Sequence, residues 1–85
     1  MLKNYEGKNM KTAEFISTFD WYDVEVSGIK PYTLRDKTPR TEKRLENATH
    51  IRIRRGYTKK SFTKKITHRM DFEGYIIIAW NPNTT

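Results

Sequence analysis

Apolar residues change their spacing several times along the chain, and each change marks a candidate element. The first ten residues (MLKNYEGKNM) have no period and read as a flexible tail over 1–10. Phe15, Ile16 and Phe19 then fall at i, i+1 and i+4. That spacing predicts a short helix with Thr12 as its N-cap, Ala13 and Glu14 in its first turn, and Asp20 near its end. From Trp21 to Gly28 the pattern becomes strict alternation, with Tyr22, Val24 and Val26 against Asp23, Glu25 and Ser27. This is a strand pattern, closed by Gly28 and Pro31. Residues 30–48 lack a clear period and read as a basic loop or a short exposed helix. Thr38-Pro39 supplies the cap and first position of such a helix, which would present only Leu45 and Ala48 to a core.

The second half of the chain alternates more regularly. Thr49 to Arg55 sets Ile51 and Ile53 against His50, Arg52 and Arg54. Ser61 to Met70 sets Phe62, Ile66 and Met70, interrupted by Lys64 and His68, against Thr63, Lys65, Thr67 and Arg69. Tyr75 to Trp80 is apolar at every position, which predicts a strand covered on two faces. Gly56 to Lys60 and Asp71 to Gly74 are the connecting turns. The expected fold class is α+β, in one small domain over residues 11–81. It would hold a small antiparallel sheet of three to four strands in a meander, with one N-terminal helix packed on its apolar face and a short second helix as an addition. Residues 82–85 read as a C-terminal tail.

Charge sharpens this picture. The 85 residues carry a net +7, but the charge is segregated. Residues 30–70 hold fourteen Lys and Arg against three acids, a net +11, while the flanking segments are each net −2. A local field of that size acts on a polyanion or an acidic protein surface over about a Debye length. Only 35% of residues are hydrophobic, so the core is thin and a partner or a second copy of the chain would add stability. The absence of cysteine excludes disulfides and thiolate metal sites. The first twenty residues contain no unbroken apolar stretch, and the longest apolar run, Tyr75 to Trp80, is too short to span a bilayer. The expectation is a soluble, cytoplasmic protein that does not contact membrane.

The candidate chemistry lies on the polar face of the strands. In an antiparallel pairing Arg52 and Arg54 would lie beside Lys65 and Arg69, a juxtaposition that a sheet tolerates better when an anion neutralises it. Arg55, Tyr57, Lys59 and Lys60 would extend this surface around the turn, and Tyr75 would add a ring from the last strand. Basic sheet faces with exposed rings suit single-stranded nucleic acid through phosphate contacts and stacking. The chain has no zinc-finger spacing, no RNP-like glycine–aromatic run and no phosphate-binding glycine loop. Asp20, Asp23 and Glu25 form an acidic patch, with Asp23 and Glu25 on one strand face. Two carboxylates are a poor metal site, and they are expected to pair with the basic segment instead. No cofactor and no metal is expected.

Three function classes follow. The first is a small non-catalytic basic module that contacts DNA or RNA through Arg52, Arg54, Arg55, Tyr57, Lys59, Lys60, Lys65, Arg69 and Tyr75. The second is an inhibitor or adaptor, of the kind small phage and mobile-element proteins supply, docking on an acidic protein surface. The third is a metal-free ribonuclease of toxin type, for which His50, Arg52, Arg54 and Tyr57 offer the acid–base and cationic groups. With only two histidines and no recognisable motif, a non-enzymatic role ranks first.

Overall fold

A computed structural model describes residues 11–84, and the tail expected over 1–10 lies outside the described residues. The described chain runs β1 (Thr12–Ser17), α1 (Phe19–Val26), β2 (Tyr32–Asp36), α2 (Pro39–Leu45), β3 (His50–Arg55), β4 (Ser61–Phe72) and β5 (Tyr75–Trp80). The five strands form one curled, mixed sheet in the order β1-β3-β4-β5-β2. Strands β3, β4 and β5 make the antiparallel meander that their alternation predicts. β1 joins it parallel to β3, and β2 joins antiparallel to β5. The sheet is therefore five-stranded and mixed, rather than a three- to four-stranded antiparallel meander. The α+β class and two helices stand. Among the described residues no helix is long and apolar enough to cross a membrane.

The two N-terminal elements exchange types relative to expectation. Residues 12–17 form a strand because Ala13, Phe15 and Ser17 point to the buried side while Glu14 and Ile16 point out. Residues 19–26 form a helix because Tyr22 and Glu25, three apart, reach the same buried face. The strand-like alternation of Tyr22, Val24 and Val26 is coincidental, since Val26 is exposed. Thr18 precedes the helix in an extended conformation, and Asp20 places a negative charge in its first turn. The segment 30–48 holds a strand that sequence reading missed, β2, and the helix that Thr38-Pro39 announced. The Thr38 hydroxyl accepts the Thr41 N–H at 3.1 Å, and Pro39 occupies the first turn. Asn47, at φ 61°, turns the chain out of α2 in the left-handed conformation that asparagine tolerates.

The core lies between the helices and the concave face of the sheet. Ile51 and Ile53 from β3, Ile76, Ile78 and Trp80 from β5, and Ala13 and Phe15 from β1 supply its floor. Tyr22 and Leu45 close it from the helices. Phe62 links the layers edge-to-face, with ring centroids 5.4 Å from Tyr22 and 5.6 Å from Trp80. Gly56, at φ 57°, ends β3 where Phe19 packs closely, and a Cβ there would meet the Phe19 ring at 2.6 Å. The β4–β5 hairpin closes through Glu73-Gly74, both at positive φ (47° and 82°), as a two-residue turn of the twist-compatible kind.

One irregularity decides which side chains face the core. β4 pairs Ile66 with Trp80 but His68 with Ala79, so Thr67 is an extra residue. A bulge of this kind inverts the alternation beyond it. Phe62 and Ile66 face the core as expected. Past Thr67, Arg69 and Asp71 take the core side, while His68, Met70 and Phe72 take the outer side. Met70 is 61% exposed rather than buried. Met70→Ala should therefore change stability by no more than about 0.5 kcal/mol. Ile53→Ala, fully buried in the same sheet, should cost about 2–5 kcal/mol. Urea unfolding of both variants checks this, and a costly Met70→Ala would refute the bulge register.

Candidate nucleic-acid interface

Both helices pack on one face of the sheet, so the opposite face is bare. Its register is read strand by strand. Thr12, Glu14 and Ile16 of β1 lie beside His50, Arg52 and Arg54 of β3, which lie beside Lys65, Thr63 and Ser61 of β4. Further along, His68, Met70 and Phe72 lie beside Ala79, Ile77 and Tyr75 of β5, and those beside Tyr32, Leu34 and Asp36 of β2. The outer face thus has a basic half on β3 and the start of β4. An apolar half covers the end of β4, β5 and β2.

The sequence-selected cations separate by what they touch. Arg52 is exposed and donates through Nε only to the Thr63 hydroxyl, at 3.2 Å. Lys65, opposite His50, is exposed and pairs with no carboxylate among the described residues. Lys59 and Lys60 stand exposed in the β3–β4 loop beside Tyr57, whose side chain is 91% exposed. Arg54 shares the outer face but is held by Glu14. Arg55 leaves this group: its guanidinium lies 4.1 Å from the Phe19 ring centre and donates to Asp23 at 3.0 and 3.3 Å. That pairing holds the Asp23 carboxyl below its usual pKa. Tyr75 lies on the outer face in the apolar half, opposite Phe72.

Arg69 does not lie beside Arg52 and Lys65, contrary to the regular alternation. The bulge sends it to the helix side, where it donates to Asp71 at 2.9 and 3.1 Å and to Glu42 of α2 at 2.6 Å. Lys37 completes the cluster at 3.0 Å from Asp71. This network fastens α2 to the far end of β4. The hydrogen bonds raise the Arg69 pKa and hold Asp71 at about 2. The acidic residues Asp20, Asp23 and Glu25 lie on a helix rather than a strand, and two of them pair internally, Asp23 with Arg55 and Glu25 with Lys30. His68, expected on the apolar side of its strand, lies instead on the outer face. His50 shares that face and hydrogen-bonds the Thr49 hydroxyl through Nδ1 at 2.8 Å.

A second feature escaped sequence reading because β2 did. The curl of the sheet brings its two free edges, β1 and β2, near each other across a cleft of about 420 Å³. Arg35 spans it, donating to the Ile16 carbonyl at 2.9 Å and the Ser17 hydroxyl at 2.8 Å. Burial lowers the pKa of this guanidinium, and the nearby Glu25 carboxylate opposes the shift. Lys30 lies over the rings of Trp21 and Tyr32, at 4.9 and 4.7 Å from their centres. It donates to Glu25 at 3.1 Å and to the Tyr32 carbonyl at 2.8 Å. Arg44 caps the Glu14 carbonyl at 3.2 Å. These cations occupy edge carbonyls that another strand could otherwise claim. The cleft is therefore first a seam of the fold that Arg35 bridges. The outer face is the open surface.

No protein-family model, curated protein or solved structure matches the chain. Its functional reading rests on the geometry alone.

The ion-pair network gives a pH-dependent test. A carboxyl whose folded pKa is depressed stabilises the fold above its unfolded pKa and loses that contribution as pH falls through the folded value. For Asp71 the window runs from about pH 4 down to about pH 2. Asp71→Asn should lower the urea midpoint at pH 7, and the gap to the unsubstituted protein should close as pH approaches 2. A gap that stays constant over that window would mean that Asp71 does not act through Arg69 and Lys37.

Proposed function

We propose that this protein is a non-catalytic module that binds nucleic acid through the outer face of β3 and β4 and the loop between them. The observation that carries the reading is the division of labour among the cations. Arg54, Arg55, Arg69, Lys30 and Lys37 each have a carboxylate partner in the fold. Arg52, Lys59, Lys60 and Lys65 have none among the described residues. Arg52 and Lys65 share the outer face of β3 and β4, and Lys59 and Lys60 lie in the loop that joins these strands. Elsewhere among the described residues, only Arg40 and Lys43 of α2 are exposed with no partner for their side chains. Uncompensated like charges cost stability in a small sheet, and phosphates remove that cost while releasing condensed counterions. Tyr57 stands in the same loop with its ring in solvent.

The binding set on this reading is Arg52, Lys59, Lys60 and Lys65 with Tyr57, and Arg54 contributes to the field while tied to Glu14. Arg55 and Arg69 serve the fold. On this reading His50 and His68 are ordinary strand residues of the outer face, His50 opposite Lys65 and His68 opposite Ala79. The competing adaptor reading uses the same free cations against an acidic protein. It differs in expecting little affinity for free nucleic acid.

Fluorescence anisotropy with labelled single-stranded DNA, RNA and duplex separates the two. Binding should weaken as salt rises, with a log–log slope reflecting several phosphate contacts. Arg52→Ala/Lys65→Ala should reduce that slope by up to ~2, while Arg69→Ala should leave it unchanged. Absence of binding at low salt, or an equal effect of Arg69→Ala, would reject the assignment.

A further inference from the structure

The apolar half of the outer face is the feature of the surface that the charge argument leaves unused. Tyr32, Leu34, Met70, Phe72 and Tyr75 are each between 42% and 61% exposed. They lie on three adjacent strands in register, with Phe72 directly opposite Tyr75 and Met70 opposite Ile77. Tyr32 and Leu34 also line the cleft beside Trp21 of α1, whereas Met70, Phe72 and Tyr75 do not. They also continue the basic half without a break: Lys65, His68, Met70 and Phe72 all face outward along β4. Lys65 to Phe72 covers roughly 20 Å of strand.

We infer that the ligand of this face is single-stranded nucleic acid, whose phosphates meet Arg52 and Lys65 while its unpaired bases stack on Phe72 and Tyr75. The inference rests on the proposed binding face and names its substrate class. A duplex presents phosphates and groove edges but no free base face, so it could engage the basic half alone. An unpaired strand offers both charged phosphates and flat apolar base faces, the two kinds of group that the two halves of the face would engage. A span of this length falls at the short end of the ~4–16-nucleotide sites that small single-strand-binding folds occupy. The same surface suits a second copy of the chain less well. Pairing two apolar halves would leave the free cations of each copy unneutralised.

The test compares three labelled probes of equal length in anisotropy titrations: a mixed-sequence single strand (DNA and RNA), the corresponding duplex, and an abasic strand that keeps the phosphates but lacks bases. The inference predicts that the single strand binds at least about tenfold more tightly than the abasic strand. It also predicts that Phe72→Ala/Tyr75→Ala weakens single-strand binding by about tenfold or more with the salt slope unchanged, and leaves abasic binding unaffected. The abasic comparison needs no substitution, so it stands even if the double variant folds poorly. Equal affinity for abasic strand, duplex and single strand, with the slope still sensitive to Arg52→Ala/Lys65→Ala, would overturn stacking and leave the basic face intact. No binding by any probe at low salt would overturn both. If sedimentation shows a dimer that Phe72→Ala/Tyr75→Ala converts to monomer without loss of oligonucleotide binding, the apolar half is a self-association surface and the stacking inference fails.

Discussion

The arrangement of this domain depends on the extra residue in β4. A strand of twelve residues with perfect alternation would carry one set of side chains to the core along its whole length. The bulge at Thr67 divides it. Before the bulge, Phe62 and Ile66 serve the core and Lys65 faces out. After it, Arg69 and Asp71 turn to the helix side and meet Glu42 and Lys37 respectively, while Met70 and Phe72 turn out. A single inserted residue thereby creates both the ionic fastening of α2 and the apolar half of the open face. The Thr67 hydroxyl also donates to the Ala79 carbonyl at 3.1 Å, adding a contact to β5 where the ladder is interrupted.

Segregation of charge follows from the same geometry. Edge strands expose backbone carbonyls, and here those of Glu14, Ile16 and Tyr32 are taken by Arg44, Arg35 and Lys30. Other cations are consumed at chain ends: Lys11 reaches the last carbonyls of α2, and Lys64 those of Pro82 and Thr84. Much of the +11 of residues 30–70 is thus structural. What is left over lies at Arg52 and Lys65 on β3 and β4, at Lys59 and Lys60 in their loop, and at Arg40 and Lys43 on α2. The residue-level partners, rather than the net charge, distinguish a binding surface from a fold-stabilising network.

The meander of β3, β4 and β5 was legible because Ile51/Ile53 and Ile76/Ile78 alternate with polar or outward residues over whole strands. Thr38-Pro39 announced α2 for a local reason, since its cap hydrogen bond needs only four residues. The N-terminal elements were misread because their windows are too short to separate periods of two and 3.6. Phe15-Ile16 places one large side chain inside and one outside in a strand, but together they mimic a helix face. Tyr22 and Glu25 form a helix face whose second member is a buried carboxylate, which no hydrophobic pattern would select. β2 was hidden by its inward residues, Thr33 and Arg35, both polar: Thr33 accepts from Arg35 within the strand, and Arg35 reaches Ser17 across the cleft. The basic site was half legible. Arg52 and Lys65 follow from alternation, but Arg69 required the bulge, and so did the recruitment of Met70 and Phe72.

The central claim is that one bare sheet face, basic at one end and apolar at the other, receives the ligand. Titrating a short single-stranded oligonucleotide into the ¹⁵N-labelled protein, with backbone and arginine side-chain resonances followed together, tests it most directly. The account predicts shifts at Arg52, Tyr57, Lys65, Met70, Phe72 and Tyr75, with the Arg69 guanidinium and Tyr22 unmoved. Shifts confined to Arg40 and Lys43 of α2, or to Trp21 and Arg35 in the β1–β2 cleft, would contradict it.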